Sequence, residues 1–353
     1  MERPLRVIAW PAEANATGNP YNATLTAALR ELGVEVTEFS AARLALGGYD
    51  LFHAHWPDGA LTRGGTLRAA AGAGALLTLT VLARARGARV IWTVHNLRSH
   101  APVAPALERA FWRGWTRLVD GTIHLGESAR RSAFDAFPSL ARRPSFVVPH
   151  PHYRAAYAPV PERADARAAI GLPTGGRVVV YFGRIRAYKA VPALVRAFRT
   201  LIDADARLVV AGEPESDALD REVRDAAAGD DRVVLRLQHV ADRDVPAIVG
   251  AADLVALPYT ELLNSGAALL ALSMGRPVFV PEAGAMSDLR DAVGPRWVHL
   301  APGSVTTESL RAALAIAVAE RPAPPAPLDA FSPAEVARGT LAAYRTVASA
   351  RRG

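Results

Sequence analysis

Short β-rich runs alternate with longer helical stretches, stop, and start again; no other feature constrains this chain as much. In the first half the β-rich runs fall at residues 5–10, 34–39, 51–55, 90–94, 122–125 and 146–148, with helical patterns such as 22–32 and 105–118 among them. A Pro-rich stretch over 149–176 follows, holding one short helix near 165–170. The alternation then restarts with runs at 177–182, 207–211, 233–237, 254–257, 277–280 and 297–300. Its helical stretches are 191–202, 216–228, 244–250, 266–274 and 309–320. Strands separated by helix-length connections build doubly wound α/β units with parallel sheets. The pattern predicts an N-terminal Rossmann-like domain over 1–157 and a second over 158–330. A Pro-rich bridge at 322–327 precedes a last helix at about 333–349, within a C-terminal segment 331–353. A chain of 353 residues is long enough for two cores.

The chain has no cysteine, which excludes structural disulfides and Cys-ligated metal and fits a reducing compartment. Its first residues read as a β-strand rather than a signal segment, so the expected location is the cytoplasm. The longest apolar run, 69–83, falls short of the roughly 20 residues a span needs. It is expected to be a packed helix, or one lying on a membrane surface, because Arg63, Arg68, Arg84, Arg86 and Arg89 flank it. The net charge of +7 is uneven: residues 1–150 hold 17 Arg against 11 acids, and the remainder is nearly balanced. No aromatic–basic interleaving accompanies this excess, so no nucleic acid is expected; an anionic membrane face or a phosphate-bearing substrate suits it.

Ligands of open parallel sheets sit at the carboxyl ends of the strands. The run 177–182 leads into Gly183-Arg184-Ile185-Arg186-Ala187-Tyr188-Lys189. Gly183 permits close backbone approach, Arg184 can fork onto a phosphate, and Lys189 adds a compact charge. Lys189 is the one lysine among 41 basic residues, which sets it apart from a generic solvated face. The run 254–257 leads to Asn264-Ser265-Gly266 and then an apolar helix. Asn264 or Ser265 is a natural N-cap, and a helix N-terminus there would present free N–H groups to an anion.

The stretches YFGRIRAYKAVPALVRAF, RLVVAGE, VPAIVGAADLVALPY and ALSMGRPVFVP resemble, in order and spacing, the donor half of GT-B glycosyltransferases. The likeness is strongest to the large retaining group called family 4, and within it to a divergent bacterial subgroup acting on polyprenyl-linked glycolipids. The resemblance implies that Arg184 and Lys189 bind the diphosphate of a GDP- or UDP-linked sugar, with Gly183, Asn264, Ser265 and Gly266 beside it. It also implies a last helix, 331–353, that crosses back onto the first domain, and a sugar contact for Glu261 and for His95, which follows the run 90–94. His95 would orient the sugar, or act as general base if the reaction inverts. Only Gly18 matches the family's glycine loop after the first strand. The family's second glutamate is replaced by Leu270, with Glu282 and Glu213 as candidate substitutes. His53 and His55 share a face of one strand without a third ligand at metal spacing. Neither a metal nor a cofactor is expected, the sugar nucleotide being a substrate. The acceptor is expected to be a glycan, a glycolipid or a small molecule. A GT-B sugar-nucleotide epimerase and a catalytically silent binding protein remain the alternatives.

Overall fold

The computed structural model of the protein describes residues 3–62, 64–99, 104–260, 263–323 and 325–350. Its contacts divide the chain into two compact units, Met1–Pro151 with Asp329–Gly353, and His152–Leu328. The first joint falls before the expected residue 157 because Tyr153 is already buried in the second unit, where its amide donates to Ser273 Oγ at 2.9 Å.

The first unit runs β1 (Arg6–Trp10), α1 (Tyr21–Glu31), β2 (Glu35–Glu38), α2 (Ala41–Leu46), β3 (Leu51–Ala54) and α3 (Thr66–Ala85). It continues through β4 (Arg89–Thr93), α4 (Pro105–Leu118), β5 (Gly121–His124), α5 (Glu127–Ala136) and β6 (Ser145–Val147). All its strands pair in parallel, in the order β2-β1-β3-β4-β5-β6. Every residue of β3 and β5 is buried, as expected of parallel strands covered on both faces.

The second unit runs α6 (Arg163–Ala169), β7 (Arg177–Phe182), α7 (Val191–Arg199), β8 (Ala206–Ala211), α8 (Asp217–Ala227) and β9 (Val233–Arg236). It is completed by α9 (Val245–Gly250), β10 (Leu254–Ala256), α10 (Gly266–Ser273), β11 (Val278–Pro281), α11 (Gly284–Val293), β12 (Val298–Ala301) and α12 (Thr307–Ala319). Its parallel sheet is ordered β12-β11-β10-β7-β8-β9. Asp253 is fully buried beneath this sheet and accepts from Arg167 (2.6 Å), Arg321 (2.7 Å) and the Val178 amide (2.8 Å).

The last helix, α13 (Pro333–Ser349), belongs to the first unit. It packs on α1, and Val336, Ala337, Leu341, Tyr344 and Val347 join Val7, Leu25, Leu29 and Ile91 in one core. The fold class is the one the sequence predicted.

In each sheet the chain leaves one central strand to opposite sides. The two neighbours at which the order reverses are β1 and β3 in the first unit, and β7 and β10 in the second. Loops leaving the carboxyl ends of such a pair diverge and open a crevice that adjacent βαβ units close elsewhere. Both crevices hold the chemistry described next.

Candidate functional site

In the second unit, β7 is followed by Gly183 at φ +117, a conformation that L side chains rarely adopt. Gly212, which follows β8, fits closely against it: a Cβ there would lie 2.1 Å from the Gly183 carbonyl oxygen. The loop beyond is pinned on both sides. The Tyr181 hydroxyl donates to the Arg184 carbonyl (3.1 Å), and Ile185 exchanges backbone hydrogen bonds with Glu213 and Glu215 (2.9 Å each). The Arg184 side chain is exposed and has no hydrogen-bonding or ionic partner among the described residues.

Lys189 closes the short turn that follows and is half-buried. Burial first, and then Arg186 and Arg184, push its pKa down to about 8, against a smaller upward pull from Glu215. A partly dehydrated ammonium beside two guanidiniums is a state that an incoming anion relieves. Its Nζ lies 5.3 Å from the centre of the Tyr259 ring, within cation–π reach.

The loop after β10 is tied to that turn, since the Thr260 amide and hydroxyl both donate to the Tyr188 carbonyl (2.8 and 3.0 Å). Tyr259 in turn hydrogen-bonds Ser265, whose Oγ accepts from the Ala268 amide at 3.1 Å and caps α10. The first amides of α10, beginning at Gly266, therefore start beside Lys189 with no acceptor inside their own helix. Thus Gly183, Arg184, Lys189, Ser265 and Gly266 converge at the β7/β10 crevice, with Asn264 half-buried just before the cap. Glu261 lies outside the described residues. Leu270 is buried in α10, and Glu213 and Glu282 are exposed at the ends of β8 and β11.

In the first unit the ends of β1, β3 and β4 gather a buried cluster of rings. His55 Nδ1 and His95 Nε2 are 3.2 Å apart, Trp56 stacks on His95 at 4.3 Å, and Tyr21 packs edge-on to His95 at 5.1 Å and against His150 at 4.5 Å. Burial drives His95 and His55 well below the usual imidazole range and His150 to about 4, so all three are neutral near pH 7. His53 is a structural member of the group. Its two nitrogens bond Tyr344 Oη and Thr93 Oγ1, each at 2.7 Å.

Asp58 was not singled out from the sequence. It sits in the short turn Pro57–Leu61 after β3 and is 5% exposed. The Asn96 amide donates to its Oδ2 at 3.2 Å, and no basic side chain pairs with it among the described residues. Burial raises its pKa to about 6, opposed by the bond from Asn96. The available signal was its position two residues beyond Trp56, in the loop leaving the strand at the crevice.

Gly18 lies in the loop after β1 at φ +79. That loop offers less to a diphosphate than its glycine suggests. The amides of Ala12, Glu13 and Ala14 already donate to Glu38 Oε2 (3.1, 2.7 and 2.9 Å).

Two parallel α/β units, one with cations and a helix N-terminus at its crevice and one with buried titratable groups, have the fold class of GT-B glycosyltransferases. A family model described as "Glycosyl transferases group 1" matches residues 176–318. Over 294 residues the chain is 33% identical to the GDP-mannose:glycolipid 4-beta-D-mannosyltransferase of Xanthomonas campestris pv. campestris, covering 82% of this chain and 77% of that one. It is also 36% identical over 143 residues to the D-inositol 3-phosphate glycosyltransferase of Salinispora arenicola, covering 37% of this chain and 32% of the other. Among solved structures, Anabaena HepE in complex with UDP-glucose superposes with a TM-score of 0.64 at 15% identity over 98% of each chain, a likeness of fold. The chain belongs to the glycosyltransferase family of its Xanthomonas relative, enzymes that move a sugar from a nucleoside diphosphate sugar to an acceptor hydroxyl. Transfer thereby replaces the epimerase and silent-binder alternatives.

Proposed function

We propose that this enzyme transfers mannose from GDP-mannose to a hydroxyl of a lipid-linked glycan, with inversion at the anomeric carbon, at the surface of a membrane. The observation that carries the donor half is the meeting of Arg184, Lys189 and the α10 N-terminus at one crevice. Sugar, acceptor and linkage follow the relative that matches across both units. GDP-mannose holds its sugar through an α bond, so a β product requires a single displacement.

In that displacement the acceptor oxygen bonds the anomeric carbon as the bond to the diphosphate breaks. The electron pair leaves with GDP, and the acceptor proton needs a base. Arg184 forks onto the diphosphate, while Lys189 and the α10 amides offset its growing charge. Asp58 takes the proton. Among the described residues it is buried with no cation to hold it ionised, and its pKa near 6 suits a base working at neutral pH. His95, neutral and stacked on Trp56, orients the sugar or acceptor by hydrogen bonding, and Glu261 is assigned to the donor sugar. No metal is assigned a role.

The test is thermal stabilisation by GDP, UDP, dTDP and their sugars, on wild type and Lys189→Ala. A ligand at a hundred times its dissociation constant adds about 2.7 kcal/mol. GDP and GDP-mannose should raise the melting temperature of wild type alone. A shift by UDP in place of GDP would overturn the donor, and an unchanged shift in the variant would overturn the clamp.

A further inference from the structure

Helix α3 is apolar on every side, yet only one side of it packs. From residue 69 to residue 83 it carries no charge, and it is long and apolar enough to cross a membrane, with only 28% of its most apolar window buried. Its buried positions are Ala69, Ala73, Leu76, Thr80 and Ala83. The opposite face, Leu67, Ala71, Ala75, Thr78 and Val81, is open, with Leu67 88% and Val81 52% exposed. Leu46 on the neighbouring α2 is 81% exposed as well. Because α3 joins β3 to β4 and packs along the sheet, it can lie in a bilayer surface but cannot cross one while folded.

Helix α4 packs beside α3, with Leu77 fitted against Gly114. Its inner face buries Phe111, Trp112, Trp115 and Thr116, and its outer face carries Arg109, Arg113 and Arg117 on successive turns. Arg109, Arg113 and Arg98 line a cavity of about 790 Å³, walled by Trp112 and Phe137. None of these three guanidiniums has a hydrogen-bonding or ionic partner among the described residues. Several other arginines of the unit are held by acids: Arg84 and Arg89 by Asp120, Arg30 by Glu13, Arg130 by Glu127. The one acid at the cavity, Glu108, already accepts from the Ser99 amide (2.6 Å) and Trp112 Nε1 (3.3 Å). Three unpaired cations around one hollow, beside a bare apolar helix, match the two layers of an anionic bilayer surface.

We propose that the α3–α4 face docks on an anionic membrane, with lipid phosphate seated in the Arg98–Arg109–Arg113 cavity and the open side of α3 in the acyl boundary beside it. The docking rests on the reading of a lipid-linked acceptor and names the surface that would bring the enzyme to it. The experiment is co-sedimentation of the full chain with vesicles of phosphatidylcholine, with and without a third of phosphatidylglycerol, for wild type, R109E/R113E and L67S/V81S. Wild type should bind the anionic vesicles at least tenfold more tightly, and less so as salt is raised. R109E/R113E should lose that preference tenfold or more, while L67S/V81S should weaken binding to both compositions.

Stabilisation by GDP should be unchanged in both variants, which certifies their folding and separates a failure of docking from a failure of the donor assignment. Equal binding to the two vesicle types, or anionic binding retained by R109E/R113E, would overturn the proposal. So would wild-type stabilisation by inorganic phosphate that R109E/R113E loses, if vesicle binding is absent; the cavity would then hold a soluble anion.

Discussion

Asp58 and Lys189 are held away from their ordinary ionisation by the same cause, loss of water, and for both the direction matters. Burial raises the Asp58 pKa to about 6 and lowers that of Lys189 to about 8. A base must be unprotonated and a phosphate clamp charged. The profile of kcat/KM should therefore rise through about pH 6 and fall through about pH 8. A bound diphosphate pulls the Lys189 pKa back up, so kcat should lose the alkaline limb while keeping the acid one. Asp58→Asn should lower kcat by about 10²–10⁴-fold. An acid whose folded pKa is raised favours the fold below the ordinary carboxylate range, and that contribution is lost as pH rises to about 6. At neutral pH the asparagine variant should thus be more stable than wild type, by on the order of 3 kcal/mol at most. An inactive variant that melts higher marks a group kept for chemistry. A wild-type profile without the acid limb would remove Asp58 from the reaction.

At the scale of elements, the proposed donor crevice depends on two glycines that let strand ends approach. Gly212 sits at φ +154 with a prospective Cβ 2.1 Å from the Gly183 carbonyl oxygen, whereas Gly229, at φ +79 after α8, has open space around it. Gly229→Ala should cost only the left-handed backbone, about 1–2 kcal/mol, and leave GDP stabilisation intact. Gly212→Ala adds a backbone clash that no side-chain rotation relieves, so it should cost more in urea titration and weaken GDP binding by displacing Gly183. Equal effects of the two would refute the close-approach argument. These elements were legible in the sequence because parallel strands are nearly continuous apolar runs. The strand 177–182 and the helices 105–118 and 333–349 begin and end as read. Helices α2, α5 and α11 lie outside the helical stretches the sequence pattern marks. α5, for instance, buries only Ser128, Ala129 and Ala133, small residues that leave no apolar stripe. The cations of the proposed donor clamp stand out in the sequence because one of them is a lone lysine after a strand end. Asp58 did not, because a carboxylate's role there follows from burial and from the missing counter-ion, and both are tertiary.

At the scale of the whole molecule, the first unit is assembled from both ends of the chain, and the second is complete between them. Helix α13 supplies Val336, Ala337, Leu341, Tyr344 and Val347 to the first unit's core. Burying a Val or Leu side chain is worth roughly 1.5–3 kcal/mol, so losing Val336, Leu341 and Val347 alone removes an amount comparable to a domain's whole stability of about 5–15 kcal/mol. Tyr344 also bonds His53 at 2.7 Å, and His53 packs on His55 with ring centres 4.1 Å apart. The last helix therefore anchors the strand that leads to the ring cluster and Asp58. A chain ending at Leu328 should lose the first unit's cooperative unfolding transition and all transferase activity. Its second unit keeps the buried Asp253 network, including Arg321 (2.7 Å), together with Arg184, Lys189 and the α10 N-terminus. That truncated chain should still unfold cooperatively and still be stabilised by GDP, as read by calorimetry with and without nucleotide. Loss of the GDP response would mean that the donor site needs the first unit to form. A truncated chain that keeps both transitions would mean that α13 covers the core without holding it.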